Sequence, residues 1–327
     1  MGKFIIAVLL LVGVGVGYFL LKGTPSSPQQ ETPEFLHGVT LTPKSFSGTE
    51  FTDFFTKAKE VGNAISWSGD WVELEKTEGG GPNVLVGLAK TYNYTPIVIV
   101  QFFTQDTGKL LRPLDDATKA RYKQAAANFA KNNQLGYLGL GIEINILYEK
   151  SPSDFDSFVG FYSEVYDAVK AASPSTKVFT IFQLEKMKGL GGGLFGGVND
   201  EGKNEWALLG RFPKNDLAVF TTYPDLIYKN PADIPDAYYS EIKSRTDRTV
   251  AFTEIGWHSV SSPKGWESSE EEQASYIERY FTLTSGLGQV VELWSFMYDQ
   301  NTIAPFNSMG LIKVDGVAKS AFGSWKK

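Results

Sequence analysis

Thr249-Val-Ala-Phe-Thr-Glu-Ile-Gly-Trp-His258 begins as a buried β-strand and ends in a carboxylate. Its first part, Val250 to Phe252, is apolar and uncharged, which is typical of a strand covered on both faces. Glu254 then lies at the far end of the strand. A carboxylate left unpaired in a dry interior is strongly destabilising. Glu254 therefore has either a buried structural partner or a place at the mouth of a functional site.

A second stretch, Gly136-Tyr-Leu-Gly-Leu-Gly-Ile-Glu-Ile-Asn145, has the same form and ends near Glu143. Side chains of a strand alternate between its two faces. Alternation predicts that the glycines, Glu143 and Asn145 share an inner face. The leucines and Ile142 then share an outer face, toward a layer of helices.

Strand-like and helix-like runs alternate from Leu36 to the end of the chain. The predicted strands are His37–Leu41, Asn63–Trp67, Pro96–Phe103, Gly136–Ile144, Lys177–Leu184, Leu217–Tyr223, Thr249–Ile255 and Val290–Phe296. The predicted helices are Phe51–Val61, Val84–Tyr92, Ala117–Asn132, Ser153–Ala172, Glu205–Gly210, Pro235–Lys243, a helix capped by Ser269 that ends at Thr284, and Ala318–Trp325. This α/β alternation calls for a parallel sheet and predicts a (β/α)8 TIM barrel. An open, doubly wound sheet is the alternative, but its edge strands would carry polar faces, and most of these runs are apolar throughout.

Composition excludes several classes of protein. The chain has 327 residues, 42% of them hydrophobic, so it can bury a sizeable core. A net charge of −6 gives no basic surface for nucleic acid. Without cysteine there is no disulfide or thiol nucleophile, and two histidines argue against a histidine-rich zinc site. We therefore expect no metal and no cofactor, and a monomer.

The first 35 residues are predicted to lie outside the folded domain. Lys3 and Lys22 flank Phe4–Leu21, an uncharged run of 18 residues, close to the ~20 that cross a bilayer. We interpret 1–22 as a transmembrane segment or signal anchor, because no Ala-x-Ala-like cleavage site follows it. Residues 23–35 form a Pro-, Ser- and Thr-rich linker, and 36–327 form the barrel domain. The expected location is the cell membrane, with a single-pass anchor and the barrel outside the cell, or secretion if the N-terminal segment is cleaved.

Polar and aromatic side chains follow several of the predicted strands. Active sites of (β/α)8 barrels gather at the carboxyl ends of the strands, where Glu143 and Glu254 would meet. Two facing carboxyl groups with indole rings around them suit glycoside hydrolysis, in which one acid protonates the leaving oxygen and the other attacks the sugar or activates water. Structural ion pairing of both glutamates is the alternative. His258 either lines this site or lies on the surface.

The two glutamate motifs resemble those of the clan A glycoside hydrolases. Gly141-Ile-Glu-Ile-Asn145 resembles their Gly-Asn-Glu-x-Asn motif, and Thr253-Glu-Ile-Gly-Trp257 is similar to their nucleophile motif. In style the motifs are closest to those of the endo-β-galactanases and β-1,3-glucanases. The resemblance implies a retaining enzyme on a (β/α)8 barrel, with Glu143 as acid/base and Glu254 as nucleophile.

The resemblance also implies a carbohydrate-binding cleft on the barrel. Tyr223 would hydrogen-bond the nucleophile, and Trp294 would line a sugar subsite. The full set of predicted substrate-binding residues is Trp67, Asn145, Tyr223, Trp257 and Trp294. The expected partner is therefore a β-linked polysaccharide or oligosaccharide, together with a membrane bound through the N-terminal helix.

One position departs from the clan pattern. The Asn that precedes the acid/base, and binds the sugar 2-hydroxyl in the clan, is Ile142 here. Asn145 is a candidate substitute for it. The departure leaves a second hypothesis open: a catalytically inactive carbohydrate-binding barrel at the cell surface. A third is a structural surface protein with both glutamates ion-paired.

Overall fold

The computed structural model describes residues 35–260, 262–263 and 265–326. The predicted anchor (1–22) and all of the predicted linker except Phe35 lie outside these residues. Among the helices of the described part, none is long and apolar enough to cross a membrane.

The described residues form a parallel sheet surrounded by helices. Its strands are β1 (Leu36–Thr40), β2 (Ala64–Asp70), β3 (Thr95–Gln101), β4 (Tyr137–Leu140), β5 (Lys177–Phe179), β6 (Ile181–Gln183), β7 (Ala218–Thr222), β8 (Val250–Ile255) and β9 (Val291–Trp294). The helices are α1 (Gly48–Val61), α2 (Gly81–Tyr92), α3 (Asp116–Asn133), α4 (Ile144–Lys150), α5 (Pro152–Ala172), α6 (Leu184–Met187), α7 (Glu270–Thr284) and α8 (Ser320–Trp325). Every strand pair in the sheet is parallel.

The sheet closes on itself through one interrupted strand. Its order is β5-β4-β3-β2-β1-β9-β8-β7-β6. Thr180 alone separates β5 from β6, so the two ends of the sheet are halves of the single strand predicted over 177–184. The first half pairs with β4 and the second with β7. The nine short strands therefore make the eight-stranded barrel that the sequence predicts.

Two apolar layers fill and surround the barrel. Side chains such as Ile97, Val219 and Leu293 pack together inside the lumen. Their neighbours along the strands, such as Val98, Phe220 and Trp294, face outward to the helices. This is the two-face alternation expected of barrel strands.

Three predicted elements differ from the observed ones. The strand predicted over 136–144 ends at Leu140, because Gly141 and Glu143 adopt left-handed backbone angles, with φ of 97° and 51°. The helices predicted at 205–210 and 235–243 are only short 3-10 turns, Trp206–Arg211 and Ser240–Ser244. Pro213 lies two residues beyond the first of these turns, and a proline limits how far a helix can extend.

Candidate active site

Glu143 lies in the turn between β4 and α4, with its carboxyl group inside the barrel mouth. The side chain is 3% exposed. Its Oε1 accepts hydrogen bonds from Thr221 Oγ1 at 2.7 Å and from Gln183 Nε2 at 3.3 Å. Its Oε2 has no hydrogen-bond partner among the described residues. The left-handed backbone costs about 1–2 kcal/mol in a non-glycine residue, so the fold holds this carboxyl in place at a cost.

Glu254 lies at the end of β8, after an irregularity in the strand. Phe220 of β7 pairs with Phe252, but the next residue, Thr221, pairs with Glu254, so Thr253 is an extra residue. Such a bulge redirects the following side chain. Glu254 Oε2 accepts a hydrogen bond from the Tyr223 hydroxyl at 2.6 Å. The Tyr223 hydroxyl also contacts Ser295 Oγ at 2.8 Å, which fixes its position.

Thr221 links the two glutamates. Its hydroxyl donates to Glu143, and its backbone stands in register beside Glu254 on the neighbouring strand. The charge of Glu254 also acts on Glu143. The structure therefore brings together at one end of the barrel the two carboxyl groups that the sequence singled out.

Both carboxyl groups have raised pKa values. Burial, together with the charges of Glu254 and Glu185, raises the pKa of Glu143 to about 8, and the Thr221 hydrogen bond opposes the shift. Burial raises the pKa of Glu254 to about 7, against the lowering effect of the Tyr223 hydrogen bond. Both groups therefore hold a proton to higher pH than a free glutamate does. Perturbed pKa values of this kind cluster at functional sites.

Glu185 is a third buried carboxyl group beside this pair. It is fully buried, and Oε1 accepts hydrogen bonds from Thr222 Oγ1, the Tyr223 backbone N–H and the Tyr238 hydroxyl at 2.8–3.0 Å. Burial raises its pKa to about 6, with these hydrogen bonds opposing the shift. Glu185 holds the backbone of Tyr223, and through it the hydroxyl that contacts Glu254.

The three predicted sugar-binding tryptophans lie outside the lumen. Trp67 and Trp294 pack in the outer apolar layer, and Trp257 joins them there. Trp294 is fully buried and donates from Nε1 to the Met309 carbonyl at 2.7 Å, and Trp257 stacks on Tyr276 of α7. Alternation explains the placement of Trp67 and Trp294. Ala64 and Leu293 face the lumen, and a residue an odd number of positions further along the same strand faces outward. In this conformation none of the three offers a ring face to a sugar in the lumen.

Two other predicted positions follow from the early end of β4. Asn145 lies in α4 and is fully buried. Its Nδ2 donates to the Gln183 carbonyl and to Glu205 Oε2. Its Oδ1 accepts a hydrogen bond from the Gln183 backbone N–H. Its amide is thus occupied by protein partners. Ile142 packs in the lumen cluster rather than toward the helices, because the left-handed turn breaks the alternation that the sequence suggested.

Apart from Tyr223, the aromatic surface at the mouth comes from residues that sequence reasoning did not select. Tyr223, Leu194, Leu226 and Met309 form a small apolar cluster. The partly buried rings that pack against it are Phe195, Trp266, Phe296 and Phe306. His258 is buried behind this mouth, with Nδ1 at 2.8 Å from Asp225 Oδ2 and Nε2 at 3.0 Å from the Trp266 carbonyl. Burial lowers the pKa of His258, but Asp225 and that carbonyl outweigh it, so the pKa is raised overall.

Alternation could have found several of the missed polar residues. Val219 and Leu293 face the lumen, so Thr221 and Ser295, two residues further along, face it as well. The same step leads from Ile181 to Gln183 and from Ile99 to Gln101. The signal was present, but short polar side chains at strand ends do not stand out in a sequence.

No protein-family profile matches the chain, and no curated protein sequence matches it either. Solved structures do match. A family 39 glycoside hydrolase from the gut symbiont Bacteroides cellulosilyticus WH2 superposes with a TM-score of 0.59 at 18% identity, covering 88% of this chain and 62% of that one. The exo-β-1,4-mannosidase Op5Man5 from Opitutaceae bacterium strain TAV5 gives 0.64 at 14% identity, covering 89% and 58%.

A β-glucuronidase of Bifidobacterium dentium, solved with coumarin-3-O-glucuronide, gives a TM-score of 0.58 at 14% identity. That match covers 90% of this chain and 46% of the β-glucuronidase. The chain therefore spans less than two thirds of the length of these three structures. At such low identity the likeness shows a shared fold, the (β/α)8 barrel.

Proposed function

We propose that this protein is a retaining glycoside hydrolase that acts on β-linked oligosaccharides or polysaccharides. The observation that carries the proposal is the Glu143–Thr221–Glu254 arrangement at the carboxyl end of the barrel strands. It joins two buried carboxyl groups with raised pKa values, of which Glu254 accepts a hydrogen bond from Tyr223. The similarity in fold to solved glycosidases supports the same class of reaction.

Each glutamate then has a distinct task. Glu143 donates its proton to the glycosidic oxygen as the bond to the anomeric carbon breaks. The ionised Glu254 attacks that carbon and forms a covalent glycosyl ester. Glu143, now ionised, takes a proton from a water molecule, which attacks the same carbon and releases Glu254. Tyr223 holds the attacking oxygen of Glu254 in place through its hydrogen bond.

Trapping the covalent ester tests the proposal directly. A 2-fluoro aryl glycoside slows hydrolysis of the ester, so mass spectrometry should find the added sugar on the peptide that carries Glu254. Glu254→Gln should not be labelled, whereas Glu164→Gln, which changes an exposed glutamate of α5, should be labelled like the wild type. Labelling elsewhere, or a first product of inverted configuration by NMR, would refute the assigned mechanism.

The role of Glu143 has its own signature. Loss of a general acid typically costs about 10²–10⁴-fold in rate. Glu143→Ala should therefore lose most hydrolysis of polysaccharide but keep much of the glycosylation step with an activated aryl glycoside, whose leaving group needs little protonation. Equal losses on both kinds of substrate would remove Glu143 from this role.

A non-catalytic carbohydrate-binding barrel is the second candidate. The observation that favours it is Ile142, an apolar side chain buried in the lumen where the resembling enzymes have a hydrogen-bonding Asn. Oligosaccharide binding without labelling of Glu254 and without released reducing sugar would select this candidate.

We also propose that the protein is a monomer attached to the cell membrane by 1–22, with 23–35 as linker and the barrel outside the cell. The uncharged run Phe4–Leu21 supports this proposal. Membrane fractionation, followed by protease treatment of intact cells, tests it: the full chain should sediment with membranes, and the barrel should be cut from outside.

A further inference from the structure

Four polar atoms in the barrel lumen have no partner among the described residues. They are Ser66 Oγ, Gln101 Nε2, Gln183 Oε1 and Glu143 Oε2. Each belongs to a residue that is at most 7% exposed. Buried polar groups are nearly always hydrogen-bonded, and an unpaired one costs about 1–3 kcal/mol. These atoms therefore mark where a polar ligand or water completes the structure.

Three of the four atoms face the barrel mouth, whereas Ser66 lies deeper in the lumen, because it is in register with Ile97 while Gln101 is in register with Asp70. Ser66, Gln101 and Gln183 each follow, by two positions, a residue of the lumen cluster: Ala64, Ile99 and Ile181. Gln183 also donates to Glu143. The set at the mouth contains a donor in Gln101 Nε2 and acceptors in Gln183 Oε1 and the Glu143 carboxyl. Sugar hydroxyl groups, which donate and accept, match this mixture.

The charges around this space disfavour an anionic sugar. Glu254, which is ionised in the proposed mechanism, places a negative charge there. Lys186, whose charge acts on Glu143, is paired with Glu149 at 2.7 Å. Arg112, on the β2 side, is held by both oxygens of Asp70 at 2.8 Å. Neither cation is free to bind a sugar carboxylate, which would meet like charges.

We propose that the site takes an uncharged sugar rather than a uronic acid, with Gln101 and Gln183 as the residues that bind its hydroxyl groups and determine specificity. This inference rests on the proposed function and deepens it. It separates this protein from the solved β-glucuronidase that shares its fold. A site built to hydrogen-bond a substrate rejects poorly matched analogues strongly, because its buried polar groups are then left unpaired.

Matched aryl glycosides test the inference on the full chain. The 4-nitrophenyl β-D-glucoside, galactoside, mannoside and xyloside are compared with the β-D-glucuronide. At least one neutral substrate should exceed the glucuronide by about 10²-fold in kcat/KM. Gln101→Leu should lower kcat/KM on that substrate about 10–100-fold. Gln124→Leu, which changes an exposed side chain of α3, should leave it unchanged.

A preference for the glucuronide would be explained by Lys229. This exposed lysine lies over the Trp266 ring, 5.1 Å from its centre, at the aromatic mouth, where it could bind a carboxylate. Preferred cleavage of the glucuronide, lost in Lys229→Ala, would overturn the inference. So would a Gln101→Leu variant with unchanged KM and kcat on the neutral substrate.

Calorimetry separates failure of this inference from failure of the proposed function. If no glycoside is hydrolysed, the hydrolase proposal fails, and titration with cellobiose, galactobiose, mannobiose, xylobiose and glucuronic acid still decides the sugar class. Binding of a neutral disaccharide that Gln101→Leu weakens would support an uncharged ligand. Binding of glucuronic acid alone, or of none of these sugars, would overturn it.

Discussion

Glu143 combines two unfavourable features, a left-handed backbone and a buried carboxyl group with one unpartnered oxygen. Strain and desolvation of this kind cluster at functional sites, where the rest of the fold offsets them. Both features cost stability, which is consistent with the catalytic role proposed for Glu143. Its effect on stability is therefore measurable through the pH.

Glu143→Gln should be more stable than the wild type at alkaline pH. Burial raises the pKa of Glu143 from 4.5 to about 8 in the folded protein. The folded state then keeps a proton that the unfolded state loses, so its stability falls as pH rises through this window. Glutamine carries no charge, and the variant should gain about 1–3 kcal/mol at about pH 9 and little at about pH 4.

Urea unfolding at the two pH values measures this gain. Glu164→Gln is the matched control, because Glu164 is well exposed on α5 and pairs only with Lys123. Its free energy of unfolding should differ from that of the wild type by the same amount at both pH values. A Glu143→Gln protein less stable than the wild type at about pH 9 would contradict the account.

Tyr223→Phe should change the acidic limb of the pH–rate profile. The Tyr223 hydrogen bond lowers the pKa of Glu254, so its removal should raise that pKa. Fewer Glu254 side chains are then ionised at a given acidic pH, and the acidic limb of kcat/KM moves to higher pH. A rate loss of roughly tenfold at neutral pH fits one lost hydrogen bond to a charged group. Tyr92→Phe on α2 is the control, and an unshifted limb in Tyr223→Phe would show that the hydroxyl does not tune Glu254.

The turn after β4 shows that backbone conformation, as well as residue type, decides where a side chain points. Gly141 and Glu143 turn the chain out of the strand, so Ile142 faces the lumen and Asn145 joins a helix. Alternation counted from Leu138 predicted that Glu143 points inward. The prediction assumed a continuous strand, but the strand has already ended two residues before Glu143. Left-handed backbone angles at a non-glycine residue leave no mark in a single sequence.

Gly141→Ala should destabilise the protein, and Gly160→Ala should not. An added Cβ at Gly141 would stand 2.9 Å from both Ile144 Cγ2 and Phe102 Cε1, at a φ of 97° that side chains rarely adopt. We expect a loss of about 1–3 kcal/mol and reduced glycosidase activity as Glu143 shifts. A Cβ at Gly160, in α5, meets no atom within 4 Å, so alanine there should stabilise by about 0.5–1 kcal/mol. Thermal unfolding of both variants compares them, and equal stability would remove the special role of Gly141.

At the scale of the whole molecule, the barrel was predictable because its signal repeats. Eight apolar runs alternate with amphipathic ones, and short errors at their ends do not change the topology. The placement of Glu143 and Glu254 at the barrel mouth was predictable for a related reason, since a carboxylate after an apolar strand is rare. The placement of the three tryptophans was not, because an indole at a strand end is as useful for packing helices as for stacking sugars. Trp294 shows this, buried between α7 and α8 against Tyr276 and Trp325.

The contacts of β1 show which parts of the chain the closed barrel depends on. β1 begins at Leu36 and is paired on both sides, with β2 and β9. The C-terminal helix α8 then covers β1: Trp325 Nε1 donates to the Gly38 carbonyl at 3.0 Å, and the Trp325 carbonyl contacts His37 Nε2 at 2.8 Å. Trp325 is fully buried.

Removal of 1–34 should leave the unfolding of the barrel unchanged, whereas Trp325→Ala should cost about 3–5 kcal/mol, as expected for a large buried aromatic side chain. Denaturant unfolding of the full chain, the 35–327 chain and the Trp325→Ala variant measures both effects. The 35–327 chain should be soluble and unfold in one cooperative step, because each pairing of β1 remains. Aggregation of that chain would place the start of the folded domain before Leu36. A Trp325→Ala protein as stable as the wild type would show that α8 does not hold the closed barrel together.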